Sequence, residues 1–229
     1  MNDADPRLSG ILLAHAVLGA GLNLASSIQT RGLHRSAAFL VLSVGLPAAG
    51  ELLATGPLGL LRHRTRPRIP GVPVAILLGW YCVIRGSYAL AGRVLDRLPL
   101  GDATRRRALP PAAALIGTSL DLVLDPAGLD VGLWEWKGDG AYASGVSGAN
   151  GRRGVPLVNY AGWLALVAGV VSVYGRLFGE RRPTGRLPAL LLMPYYLTAV
   201  AWAVRSRRFR YLLYSSPFAV ALYAGLKSG

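Results

Sequence analysis

Three acids stand inside otherwise apolar stretches of the chain: Glu51, Asp121 and Asp125. A charged carboxylate at mid-membrane costs about 2.5–3.5 kcal/mol on insertion scales. Each acid must therefore be protonated, paired or open to a wet cavity. Asp121 and Asp125 are four residues apart, which puts them on one face of a helix. Two such neighbours resist ionising together, so one can give a proton and the other take one, the pairing that general acid–base chemistry uses. The structural alternative is that Asp125 caps a helix end before Pro126, while Glu51 and Asp121 bond neighbouring helices. Arg85, also in an apolar stretch, could pair with one acid or extend to the membrane face.

Aromatic residues accompany the acids. Leu133-Trp134-Glu135-Trp136 and Gly140-Ala141-Tyr142 follow Asp125, and Trp80 and Trp163 each stand seven residues after a proline. Loop tryptophans beside a membrane serve as interfacial anchors; as a lid, their faces would pack a polyene and stabilise a cation by about 0.5–2 kcal/mol each. Glu135 and Asp139 are expected in a solvated loop. Gly145, Gly148, Gly151 and Gly154 are spaced by three but match neither a Walker loop nor a dinucleotide fingerprint, so a flexible loop is expected there. His15, His34 and His63 have no metal-ligand spacing. The single cysteine, Cys82, excludes an intramolecular disulfide framework. No Ser-His-Asp or Cys-His set can be assembled, and Tyr195, Tyr196, Tyr211 and Tyr214 read as packing or interface residues.

What positions these residues is a membrane bundle. Of 229 residues, 52% are apolar and 16% charged, against roughly 25% charged in a soluble domain. Seven stretches are long and apolar enough to span, at about 20 residues each: 9–28, 36–61, 72–92, 108–125, 155–178, 187–204 and 210–226. The expected fold is all-α, one polytopic integral membrane domain over 1–229. The first stretch does not read as a cleaved signal peptide: Asp3 and Asp5 outnumber Arg7 ahead of it and no small-residue cleavage site follows. A net charge of +14 could suit nucleic acid, but the basic residues sit in short runs between spans. Those at Arg62–Arg68, Arg105–Arg107, Arg181, Arg182, Arg186 and Arg205–Arg210 read as anchors for lipid headgroups. Lys and Arg divide equally between the two faces, so the positive-inside rule assigns no orientation.

Two segments share a pattern, over about 45–92 and 115–175. An apolar helix carries an acid about a turn before a helix-breaking segment: Glu51 before Thr55-Gly56-Pro57, Asp121 before Asp125-Pro126. A loop follows, then Gly71-Val72-Pro73 with Trp80 or Gly154-Val155-Pro156 with Trp163. Proline ends or kinks a helix and disfavours helical geometry in the residue before it. Two such units in the same topology form parallel repeats about an axis near the membrane normal. Both loops then lie on one face, where the three acids and two tryptophans meet.

The stretch from Asp121 through Asp125-Pro126, Leu133-Trp134-Glu135-Trp136 and Gly154-Val155-Pro156 to Asn159-Tyr160-Ala161-Gly162-Trp163 resembles the integral-membrane carotenoid biosynthesis proteins of the bisanhydrobacterioruberin hydratase type. Glu51 with Thr55-Gly56-Pro57-Leu58-Gly59, and Gly71-Val72-Pro73 with Trp80, resemble that family's first motif. The likeness covers about 45–170 and elsewhere extends only to hydropathy. Ala143–Arg153 is an insertion where the family pattern has a short glycine–tyrosine link. The resemblance implies a multi-pass enzyme of the cell membrane that adds water to the terminal double bond of an acyclic carotenoid, without a cofactor or metal. Its partners would be the lipid-soluble substrate, membrane lipids and other carotenoid biosynthesis enzymes, not nucleic acid. It also implies Glu51, Asp121 and Asp125 as catalytic residues, with Trp80, Trp134, Trp136, Tyr142, Asn159, Tyr160 and Trp163 around the polyene end. A carotenoid cyclase, trapping the same cation with a neighbouring double bond, and a proton-coupled transporter fit the same acids.

Overall fold

Backbone in lipid must satisfy its own N–H and C=O groups, and the long apolar stretches accordingly form helices. The computed structural model describes residues 3–179 and 185–227; Arg181 and Arg182 lie outside them. In chain order the elements are α1 (Pro6–Arg31), α2 (Leu33–Thr55), β1 (Leu61–His63), β2 (Arg68–Ile69), β3 (Val72–Pro73), α3 (Val74–Leu95), α4 (Asp102–Asp130), β4 (Trp134–Trp136), β5 (Tyr142–Ser147), β6 (Arg153–Val155), α5 (Leu157–Phe178), α6 (Leu187–Leu190), α7 (Met193–Arg205), α8 (Arg210–Tyr214) and α9 (Ser216–Leu226). Among the described residues, six segments are long and apolar enough to cross a membrane: α1 to α5 and Leu187–Arg205. The protein is an all-α polytopic bundle with short strands confined to its loops.

The inner pair is α3 and α4, each largely buried, while the other spans expose most of their surface. Around them pack α1 and α2 on α3, α5 and α7 on α4. Arg85 is fully buried in α3, its guanidinium 5.8 Å from the centre of the Phe39 ring. Aromatic packing of Phe39 with Tyr88 and Tyr174 continues that part of the core.

Two stretches differ from the sequence expectation. Asp125-Pro126 does not end its helix: α4 runs from Asp102 to Asp130, with Pro110, Pro111 and Pro126 inside it. A proline at 126 has no N–H for the carbonyl four residues back. That carbonyl, on Leu122, instead accepts a hydrogen bond from the Tyr142 hydroxyl at 2.7 Å. Burial pushes the Tyr142 pKa well above its usual value, so the hydroxyl stays a donor. The second difference is in 210–226, which forms two short helices meeting at Ser215, next to the first turn of α9 with its N–H-less Pro217. They still run the length of the bundle. Tyr211 packs near Tyr142, and the Gly225 carbonyl accepts from Arg93 Nε at the far end of α3.

The loop from α2 to α3 and the loop from α4 to α5 lie at one end. Strand β1 pairs antiparallel with β4, in the register Leu61↔Trp136, Arg62↔Glu135, His63↔Trp134. The two Gly-Val-Pro segments adopt the same conformation: Pro73 and Pro156 each precede a helix with φ −64° and ψ near 137° (138° and 136°), and Gly71 and Gly154 have φ of 90° and 75°. Gly154 is tightly placed, since a Cβ there would come within 2.3 Å of the Gly140 carbonyl oxygen. The glycine-spaced segment is no loose loop. It forms the β5–β6 hairpin, with Ala143 and Val146 buried in a small core beside Tyr160 and Tyr211. Glu135 is likewise not solvated: β1–β4 pairing buries it, with Arg64 Nε 3.9 Å from its carboxylate.

Candidate active site

At this end the bundle encloses a cavity of about 390 Å³. Glu51, in the last turns of α2, reaches it from one side. Its Oε1 accepts from Trp80 Nε1 at 2.9 Å, and its Oε2 lies 2.9 Å from His63 Nε2. Asp121 and Asp125 approach from α4, both buried. The Asn159 amide, at the start of α5, bridges them, 3.0 Å from Asp121 Oδ2 and 2.7 Å from Asp125 Oδ2. Asp125 Oδ1 accepts a further bond from Trp134 Nε1. Gly128 makes room for that bond: a Cβ there would sit 2.1 Å from the Trp134 ring.

The tryptophans of the two units meet in the middle. Trp80 and Trp163 stack with ring centroids 4.0 Å apart and planes 27° from parallel. Trp134 and Trp136, fixed on β4, add to the same wall. Of the residues expected at the site, Glu51, Asp121, Asp125, Trp80, Trp134, Trp136, Asn159 and Trp163 all line the cavity. Tyr142 and Tyr160 do not. They pack against one another behind the wall, ring centroids 4.9 Å apart, and Tyr142 completes the hydrogen bonding of α4.

Sequence reasoning missed His63, which is buried and lines the cavity beside Glu51. It also missed the walls contributed by α1 and α7, including His15 and Tyr195, whose rings meet edge-on at 4.4 Å. Leu8 and Ile11 of α1 and Pro194 and Thr198 of α7 line the cavity and are also exposed on the outside of the bundle. The cavity thus reaches the surface beside these four residues, while His15 and Tyr195 touch between α1 and α7. No three His, Cys, Asp or Glu side chains converge as metal ligands among the described residues.

A family model for carotenoid biosynthesis proteins matches residues 10–226, nearly the whole chain. The chain belongs to the carotenoid biosynthesis protein family. No curated protein and no solved structure matches it. For a carotenoid biosynthesis protein the cavity has suitable chemistry: apolar walls and stacked indoles for a polyene, with carboxyls and an amide gathered at one spot.

Proposed function

We propose that this carotenoid biosynthesis protein is a hydratase of the cell membrane, adding water across the terminal carbon–carbon double bond of an acyclic carotenoid. The observation that carries this is the Asp121–Asn159–Asp125 cluster beside the stacked Trp80 and Trp163. Asp125 receives an N–H on each oxygen, from Trp134 and Asn159, which suits an anion. Asp121 receives only the longer Asn159 bond, leaving Oδ1 to carry a proton. Asp121 therefore protonates the alkene, forming a tertiary cation and leaving a carboxylate. The faces of Trp80 and Trp163 and the charge on Asp125 stabilise that cation. Water attacks it, the C–O bond forms, and the water's proton passes to Glu51. Alkene and water alone balance the reaction.

Membranes containing the protein and an acyclic carotenoid with a free terminal double bond test this in oxygen-18 water without air. The expected product is a tertiary alcohol carrying the label. Strict dependence on oxygen gas, or an unlabelled hydroxyl, overturns the hydratase. A ring without a hydroxyl replaces it with a cyclase using the same protonation, and unchanged pigment leaves the acids to proton-coupled transport.

A further inference from the structure

We propose that His63 is a positioning residue for the base at this site, its Nε2–H holding Glu51 as the carboxylate that takes a proton from the attacking water. The inference rests on the hydratase reading above. His63 is 4% exposed and lines the cavity from strand β1, held in place by the β1–β4 pairing with Trp134. Its Nε2 lies 2.9 Å from Glu51 Oε2, while the other carboxylate oxygen is taken by Trp80 Nε1. The remaining ring nitrogen, Nδ1, is buried without a hydrogen-bond partner.

That pattern selects a resting state. A neutral imidazole has one N–H and one lone pair, whereas the protonated ring has two N–H groups to satisfy. With the proton on Nε2, the ring donates to Glu51 and leaves only a lone pair at Nδ1. A buried N–H without an acceptor is the more costly alternative. Carboxylate and neutral imidazole together then bear a single negative charge.

When water attacks the cation, its oxygen forms the new C–O bond and one O–H bond breaks. The released proton goes to the Glu51 carboxylate, so the Glu51–His63 pair becomes neutral overall, as carboxylic acid with imidazole. Return of that proton from Glu51 to the Asp121 carboxylate restores the starting state. Glu51 takes the proton, and His63 acts through it as a positioning residue. Donor and acceptor thus come from different repeat units, Asp121 from α4 and Glu51 from α2 with His63 from the loop that follows it.

The test separates cation formation from its capture. In heavy water, a cation that is formed and not captured returns to alkene by losing a proton, and leaves deuterium in the recovered substrate. His63→Leu should lower alcohol formation by about 10²-fold, the lower range for a positioned acid or base, while deuterium uptake continues. His63→Gln can still offer Glu51 an N–H and should recover most of the alcohol formation that His63→Leu loses. Equal deficiency of the two variants would show that the N–H offered to Glu51 is not what His63 contributes, and would overturn the inference. Loss of alcohol and deuterium uptake together would make the residue structural, and an undiminished rate in both variants would make it irrelevant; either overturns the inference alone. A wild-type protein that forms no alcohol sinks the hydratase reading itself, and this inference with it.

Discussion

Trp80 and Trp163 lie face to face near the loop end of the bundle, each two turns into the helix that follows its own Gly-Val-Pro. They are equivalent in sequence but not in bonding, because only Trp80 donates to an acid, Glu51. Trp163→Phe should therefore change thermal stability in detergent little. Trp80→Phe removes the hydrogen bond to the partly buried Glu51 and should lose about 1–3 kcal/mol, with a larger fall in product formation. Equal effects would mean that the indole N–H of Trp80 is dispensable.

Glu51→Gln, Asp121→Asn and Asp125→Asn keep the side-chain shapes and should leave membrane insertion intact. Each should lower product formation by roughly 10²–10⁴-fold. Losses below tenfold at all three, measured on protein of normal yield, would identify the acids as structural.

Gly128→Ala tests how Trp134 reaches Asp125. The new methyl would occupy the place of the ring, so the indole must move and its hydrogen bond to Asp125 break. A shifted tryptophan emission with reduced activity is expected in protein that still folds; an unchanged spectrum would show that the ring had not moved.

Glu135 and Asp139 should behave differently although both lie in the same loop. Glu135→Ala removes a buried carboxylate next to Arg64 and should destabilise by about 1–3 kcal/mol. Asp139 is exposed and accepts from the Arg153 backbone N–H through Oδ1, a bond that asparagine can also accept. Asp139→Asn should melt like wild type.

Cysteines at Arg66 and Gly148 in a Cys82→Ala background should label from the same side of the membrane, because β1–β4 pairing holds their two loops at one end. Labelling from opposite sides is incompatible with this bundle.

Much of this was legible from residue type and spacing alone. The acids stood out because charge is rare in apolar stretches, and Gly-Val-Pro with its tryptophan because the spacing recurs. His63 carried no such signal: nothing local indicates that β1 turns its side chain to Glu51, twelve residues earlier. The α1 and α7 walls come from packing between distant segments, which periodicity does not encode. Pro126 misled for a related reason, since the hydroxyl that makes it tolerable in a helix is sixteen residues downstream. Glu135 looked solvated for want of its partner strand, near the other end of a long sequence separation.

The bond from Tyr142 to the Leu122 carbonyl has a consequence for traffic. The hairpin that begins at Tyr142 is stitched into the backbone ladder of α4, and lifting it would unpick that stitch. It is masonry, not a door. Under the proposed reaction, a linear substrate would enter where the cavity reaches the surface, beside Leu8, Ile11, Pro194 and Thr198, end first with its tail trailing outside. A symmetric polyene presented this way would be worked on at one end only. It has to back out and turn around before the other end is reached, so the half-finished product should be found free in the membrane.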